Sequence, residues 1–276
     1  MKTPHVFATA NQKGGVGKTT TAITLGSSLS IFGYRVLLVD LDPQASLTNH
    51  LAVEPEKLEY SVANLIVSDS LSPAEAVINK YRLKNGGCID LIPSNINLAR
   101  IEAELSNSKG GGLKLKEKLK FFYDNYDYII IDSSPALSVL LISAVAASDE
   151  IIIPVMSDFL SVRGVELLLS TIDKIEKALD SRCTYRLLIT MFDRRTNSSL
   201  KSLDYFRNKY KDTHFNSIIN IDTRFRDASM LRKPLTYIDV HSRGALDYIN
   251  VAKEIIDDFN FNNNGGGKRK EEAKNE

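Results

Sequence analysis

The stretch Val6-Phe7-Ala8-Thr9-Ala10-Asn11-Gln12-Lys13-Gly14-Gly15-Val16-Gly17-Lys18-Thr19-Thr20 decides the fold of this 276-residue chain. Val6–Ala10 reads as a short strand, and the run Gly17–Phe32 reads as a helix. Between them lies a glycine-rich turn. Glycines permit unusual dihedrals and close approach, so the backbone N–H groups of Gly14 through Thr19 can face inward around a phosphate. The helix that follows aims its positive N-terminal dipole at the same point. Lys18 is placed to reach the β- and γ-phosphates, and the Thr19 hydroxyl to ligate Mg²⁺. Strand, turn and helix in this register make Lys13-Gly14-Gly15-Val16-Gly17-Lys18-Thr19-Thr20 a phosphate-binding loop, and ATP with Mg²⁺ the expected cofactors.

The loop departs from the ordinary G-x-x-x-x-G-K-[ST] pattern at two positions. Gln12 stands where the first glycine belongs, and a second lysine, Lys13, follows it. A cation that early in the loop is badly placed to wrap its own phosphates. It projects instead toward a nucleotide held by a second subunit, as an arginine finger supplied in trans does.

Working outward, short apolar runs alternate with longer amphipathic stretches, the pattern of a mostly parallel twisted sheet with helices on both faces. The expected strands are Val6–Ala10, Arg35–Asp40, Ile89–Pro93, Tyr128–Asp132, Ile151–Val155, Tyr185–Phe192 and Ser217–Ile221. The expected helices are Gly17–Phe32, Leu98–Leu105, Leu113–Tyr123, Leu137–Ala147, Val162–Leu179, Ser199–Tyr210 and Arg243–Phe259. Ser106–Gly112 reads as a surface loop. Residues 1–261 read as a single α/β domain, and 262–276, Asn/Gly followed by mixed charge, as a disordered tail. Asp40 and Asp42 close an apolar strand at the carboxyl edge, where nucleotides sit in such sheets. Alternation puts both on one side.

No apolar stretch behind a basic start suggests a signal peptide, and no run approaches the ~20 residues needed to cross a bilayer. Cys88 and Cys183 sit far apart, which suits a reducing, cytoplasmic setting better than a disulfide framework. Residues 182–252 are basic while the chain before them is net acidic, a hint of a polyanionic partner.

With Asp40-Leu41-Asp42-Pro43-Gln44, the loop resembles the deviant Walker A ATPases of the ParA partition family, in the ParA/MinD superfamily. The resemblance runs from Val6 to Ile256. It implies a SIMIBI-like P-loop NTPase that binds ATP and Mg²⁺, forms a nucleotide-sandwich homodimer and binds DNA without sequence preference. It further implies nucleoid association and slow hydrolysis stimulated by a centromere-binding partner of the ParB type. Asp42 matches the aspartate implied to position the attacking water, and Asp40 is read as supporting the Mg²⁺ shell through its waters. Asp132 matches the Walker B aspartate, although Ser133-Ser134-Pro135 replaces the usual Cys-Pro-Pro. The run Thr190–Thr196, with Met191 and Asp193, resembles the segment that contributes to the adenine pocket. Asn220 takes the place of the usual adenine-flanking proline. Arg224, Arg226 and Arg243 fall where the family is implied to carry DNA contacts. With no recognition helix in view, these are read as phosphate contacts.

Four other readings share part of this pattern. A ParA-like ATPase that positions a protein cargo shares every motif. A membrane-cycling ATPase of the MinD type ends in a basic amphipathic helix, whereas this chain ends in Asn/Gly and charged residues. A nitrogenase-reductase-like protein needs cysteines for a bridging cluster, and neither Cys88 nor Cys183 follows a nucleotide-sensing loop. A regulator with an N-terminal helix-turn-helix domain needs room before Val6, so the small type without that domain is expected.

Overall fold

The computed structural model describes residues 3–158 and 160–263. Its centre is a seven-stranded sheet of β1 (His5–Thr9), β2 (Arg35–Leu41), β3 (Ile78–Arg82), β4 (Cys88–Ile92), β5 (Tyr128–Ser133), β6 (Glu150–Met156) and β7 (Thr184–Thr190), ordered β3-β4-β2-β5-β1-β6-β7. All neighbours pair in parallel except the hairpin partners β3 and β4. The helices are α1 (Lys18–Ile31), α2 (Ser46–His50), α3 (Val62–Val67), α4 (Asn97–Ser106), α5 (Lys114–Leu119), α6 (Val139–Ala147), α7 (Leu160–Leu179), α8 (Asn197–Lys209), α9 (Arg224–Met230), α10 (Leu235–Ile238) and α11 (Arg243–Asn263).

Both faces of the sheet are covered, as the apolar strands require. Val6, Ala8, Leu37, Val39, Ile129 and Ile131 pack under α3–α6. Their alternate neighbours Phe7, Val36, Leu38, Tyr128 and Ile130 face the other way, onto α1 and α11. A third cluster joins β6 and β7 to α7 and α8.

Two strand expectations change. Ser217–Ile221 is not a strand of the sheet: it runs beside β7 through Ile219 N to Ile189 O (2.8 Å) and one bridge, Phe192 to Asn220. The ladder is broken between Phe215 and Ile219, so the segment remains an incomplete eighth strand. Conversely, β3 is real although Ile-Asn-Lys-Tyr-Arg shows no apolar run. It is the antiparallel edge, half exposed, where polar residues are tolerated.

Among the helices, Leu113–Tyr123 is α5 followed by a 3-10 turn, Lys120–Phe122. Ser106–Gly112 is a loop only in part, since Ser106 closes α4 and Gly111 is buried in another 3-10 turn. The final helix continues to Asn263, two residues into the segment expected as tail; 264–276 lie outside the described residues.

Candidate active site

The phosphate-binding loop occupies the carboxyl edge between β1 and α1. Gly15 and Gly17 take φ of 73° and 95°, the left-handed region that favours glycine, and Gly17 is the residue from which α1 starts. Side chains outside the loop hold its shape. Asn11 Nδ2 donates to Pro154 O (2.8 Å) while its Oδ1 accepts from Lys13 N (2.9 Å). Thr190 Oγ1 at the end of β7 donates to Val16 O (2.9 Å). The loop is thus pinned to β6 and β7. Gln12 Nε2 is buried without a hydrogen-bond partner.

Lys18 lies buried and folds back over the loop, Nζ 3.4 Å from Lys13 O. Burial lowers its pKa, against the opposing pull of Asp132 and Asp42. β1, β5 and β2 are adjacent in register, with Thr9 beside Asp132 and Asp132 beside Asp40, so the three side chains meet at one edge. Thr9 Oγ1 donates to Asp132 Oδ1 at 3.0 Å, and Thr19 is a second donor to that carboxylate. Burial pushes the Asp132 carboxyl up to about 6. Burial and the nearby Asp132 push Asp40 up to about 7.

Asp40 and Asp42 divide in role. Asp40 is fully buried, and its carboxylate accepts from Asp42 N (3.2 Å), Thr48 N (2.8 Å) and Thr48 Oγ1 (2.6 Å). It braces the turn that leads from β2 into α2. Asp42 is half buried and accepts locally from Gln44 N (2.9 Å). The turn is tight enough to put Ala45 at φ 53°.

The donors converging here, the Thr19 hydroxyl and the Asp132 carboxylate with Asp40 behind, are all hard oxygens, which fits Mg²⁺. Two carboxyls raised by burial are stabilised as anions by a divalent cation. No cluster of three or more His, Cys, Asp or Glu that could cage a metal occurs among the described residues.

Lys13 does not reach into its own loop. Its Nζ lies 2.9 Å from Asp158 Oδ2 and 3.5 Å from Ser161 Oγ, between the end of β6 and the first turn of α7. Asp158 also accepts from Ser161 N (2.8 Å) and Ser161 Oγ (2.9 Å). Burial opposes ionisation of Asp158, but the bonds from Lys13 and Ser161 prevail and hold its carboxyl below the ordinary value. Nothing in the sequence pattern marks Asp158 as the partner of Lys13.

Past Thr190 the chain turns through Met191 (φ 51°, 40% exposed) into a cavity of about 370 Å³. Phe192, Asp193, Asn220 and Arg243 line it. Asp193 carries a fork from Arg195 (2.7 and 2.8 Å), whose hydrogen bonds hold its carboxyl down at about 2. Met191 and Asp193 are therefore both next to the loop's contact with β7. Arg243, expected on a DNA surface with Arg224 and Arg226, also faces this cavity.

The three arginines are exposed and share one corner, since Asp222 accepts from both Arg224 N (2.9 Å) and Gly244 N (2.9 Å). The Arg224 guanidinium pairs with Asp239 at 2.9 Å. Arg232, from the same basic stretch, is committed inward: it donates to Asn49 O (2.8 Å) and Val53 O (3.1 Å) at the end of α2.

A family profile described as an AAA domain matches residues 4–185. The chromosome partitioning protein ParA of Caulobacter vibrioides is 32% identical over 255 residues, which cover 91% of this chain and 94% of that one. The chain belongs to the ParA family. Another relative in the ParA/MinD superfamily, the sporulation initiation inhibitor protein Soj of Bacillus subtilis, is 37% identical over 251 residues, 91% of this chain and 97% of Soj.

Solved structures agree on the fold. The ATP complex of a Cyanothece McdA variant superposes with a TM-score of 0.79 at 26% identity, covering 92% of this chain and 98% of McdA. Cobyrinic acid a,c-diamide synthase of Mycobacterium smegmatis, with bound ADP and magnesium, gives 0.74 at 33% identity, covering 92% and 94%. The expectation of a P-loop α/β fold is met, and the nucleotides and magnesium in these neighbours agree with ATP and Mg²⁺ as cofactors. No helix among the described residues is long and apolar enough to cross a membrane.

Proposed function

We propose that this ParA-family ATPase uses ATP hydrolysis to segregate DNA, as a nucleotide-switched homodimer. The observation that carries the reading is the convergence at one sheet edge of Lys18, Thr19, Asp132 and the Asp40–Asp42 turn, with Lys13 held just outside it. In this reading the N–H groups from Gly14 to Thr20 and the Lys18 ammonium take the phosphates, and Met191 and Asp193 border the base. Thr19 and Asp132 hold Mg²⁺, with Asp40 stabilising the shell and the turn behind it. The ion offsets charge on the phosphate oxygens. Asp42, more open than Asp40 and two residues beyond it, orients and polarises the attacking water; phosphoryl transfer asks chiefly for positioning and charge neutralisation. Lys13 leaves Asp158 and reaches across to the nucleotide of the second subunit.

A dimer of this kind doubles the corner that carries Arg224, Arg226 and Arg243. Phosphate contacts add through counterion release, so doubling them steepens binding. Hydrolysis, stimulated by a ParB-type partner at the cargo, separates the subunits and releases the DNA. The test is binding to non-specific DNA with ATP, ADP or no nucleotide across a salt series. Tight binding with ATP alone, falling steeply with salt, is expected; nucleotide-independent or salt-insensitive binding would contradict the reading.

A further inference from the structure

Among the described residues no large apolar side chain is more exposed than Met230, at 84%, and its neighbour Leu231 is 57% exposed. Both sit at the end of α9, in the corner that carries Arg224 and Arg226. Arg226 and Met230 are four residues apart on that helix and therefore share a face. Lys233 is exposed just beyond them. The tip is fastened from both sides. Beneath it, Ala228 is buried with Leu235 and Ala245. Leu231 N, Arg232 N and Lys233 N return to Asp227 O, Ser229 O and Ala228 O at 2.9, 3.1 and 3.2 Å. Arg232 adopts a left-handed backbone to reach the α2 carbonyls described above, and Lys233 O lies 3.3 Å from His50 Nε2 on α2. A loose turn would fold two apolar side chains back onto the protein. This one holds them out in water among cations.

We propose that Met230 and Leu231 form a wedge that enters the minor groove of duplex DNA and opens a base step, while Arg226 and Lys233 hold the flanking phosphates. An apolar side chain gains nothing from the phosphate backbone, but between unstacked bases it leaves water. Unstacking costs energy, so only a stiff wedge can impose it, and the anchorage on α2 and α11 supplies that stiffness. The cations around the tip suit a polyanion. Two apolar side chains bury too little area to anchor a protein stably on lipid, whereas wedges of this size act between base steps. Such a site responds to how easily a step unstacks and reads no base edge, so it is compatible with binding that does not select a sequence. This inference rests on the DNA-binding reading above.

The experiment measures binding of the full chain, with magnesium and a non-hydrolysable ATP analogue, to two duplexes of one sequence, one fully paired and one carrying a central mismatch. The variants are the double substitution Met230→Ser with Leu231→Ser, and Arg226→Ala. All three side chains are exposed, so the fold should be unaffected. The wild type is expected to bind the mismatched duplex on the order of tenfold more tightly, because part of the unstacking is already done. The double variant should lose that ratio and keep the salt dependence. Arg226→Ala should keep the ratio and show a shallower salt dependence. Equal affinity of the wild type for both duplexes, or a ratio that survives in the double variant, overturns the wedge. Vesicles of anionic phospholipid form the other arm. Vesicle binding that the double variant loses, with its duplex ratio unchanged, assigns the tip to lipid and overturns the proposal as well. Wild-type protein that binds neither duplex overturns the DNA reading itself, and this inference with it.

Discussion

Lys13 and Asp158 are paired within one chain, Nζ to Oδ2 at 2.9 Å, across 145 residues of sequence. The pair joins the loop to the first turn of α7 and leaves both side chains about one-third exposed, 38% and 34%. For Lys13 to act in a second subunit this bond must break. Exposed pairs contribute about 0.2–1 kcal/mol, so the restraint is modest. Asp158→Asn releases one such pair in each subunit and is therefore expected to favour the ATP-bound dimer by no more than about thirtyfold, about fivefold per subunit, measured by sedimentation with a non-hydrolysable ATP analogue. Loss of dimer in that variant would show that Asp158 supports the dimer and does not hold Lys13 back.

Lys18 and Asp42 separate binding from turnover. Lys18→Ala should abolish nucleotide binding, because the buried ammonium is the cation folded over the loop. Asp42→Ala should keep ATP bound and lower turnover by roughly 10²–10⁴-fold, the range for a missing group that orients and polarises water. The latter variant should remain on DNA with ATP present. Isothermal titration and a phosphate-release assay distinguish the two outcomes.

Arg232 takes φ 53°, a conformation that costs a non-glycine residue about 1 kcal/mol, yet its guanidinium caps two carbonyls at the end of α2. Arg232→Ala keeps the strain and loses the bonds, so a fall of about 1–2 kcal/mol in urea unfolding is expected. Arg232→Gly loses the bonds and relieves the strain, and should lie about 1 kcal/mol above the alanine variant. Equal stabilities would remove the strain from this account.

Cys183 is buried beside Ser148 and pushed up to about 11, chiefly by burial. Its thiol should resist alkylation in the native protein at pH 8 and react after unfolding, read by mass spectrometry. The sign follows: a raised thiol pKa stabilises the fold fully below the unfolded value near 9, and that contribution fades as pH rises toward 11. Rapid labelling of native protein at pH 8 would contradict this.

The sequence made the loop, six of the seven strands and the acidic strand ends legible because each is a local pattern: an apolar run, a glycine turn, a carboxylate at a strand end. β3 was hidden because an exposed edge strand needs no apolar alternation. α2, α3, α9 and α10 are too short to show a helical period. The pairing partners were hidden for a different reason. Asp158 meets Lys13, and Asp247 meets Asn220, only because β6, α7 and α11 return to the same sheet edge. Arg232 lies in the same basic stretch as Arg224 and Arg226, and only the packing of α2 against the turn after α9 turns it inward.

The trans role of Lys13 is tested most directly by mixing two inactive variants. Lys13→Ala keeps its own Asp42 but can donate no lysine, while Asp42→Ala donates Lys13 but cannot activate its own water. If Lys13 acts across the dimer, the mixed dimer contains one complete site, and ATP turnover should reappear on mixing. If the mixture remains as inactive as its components while mixed dimers form, Lys13 acts within its own subunit and the composite site is wrong.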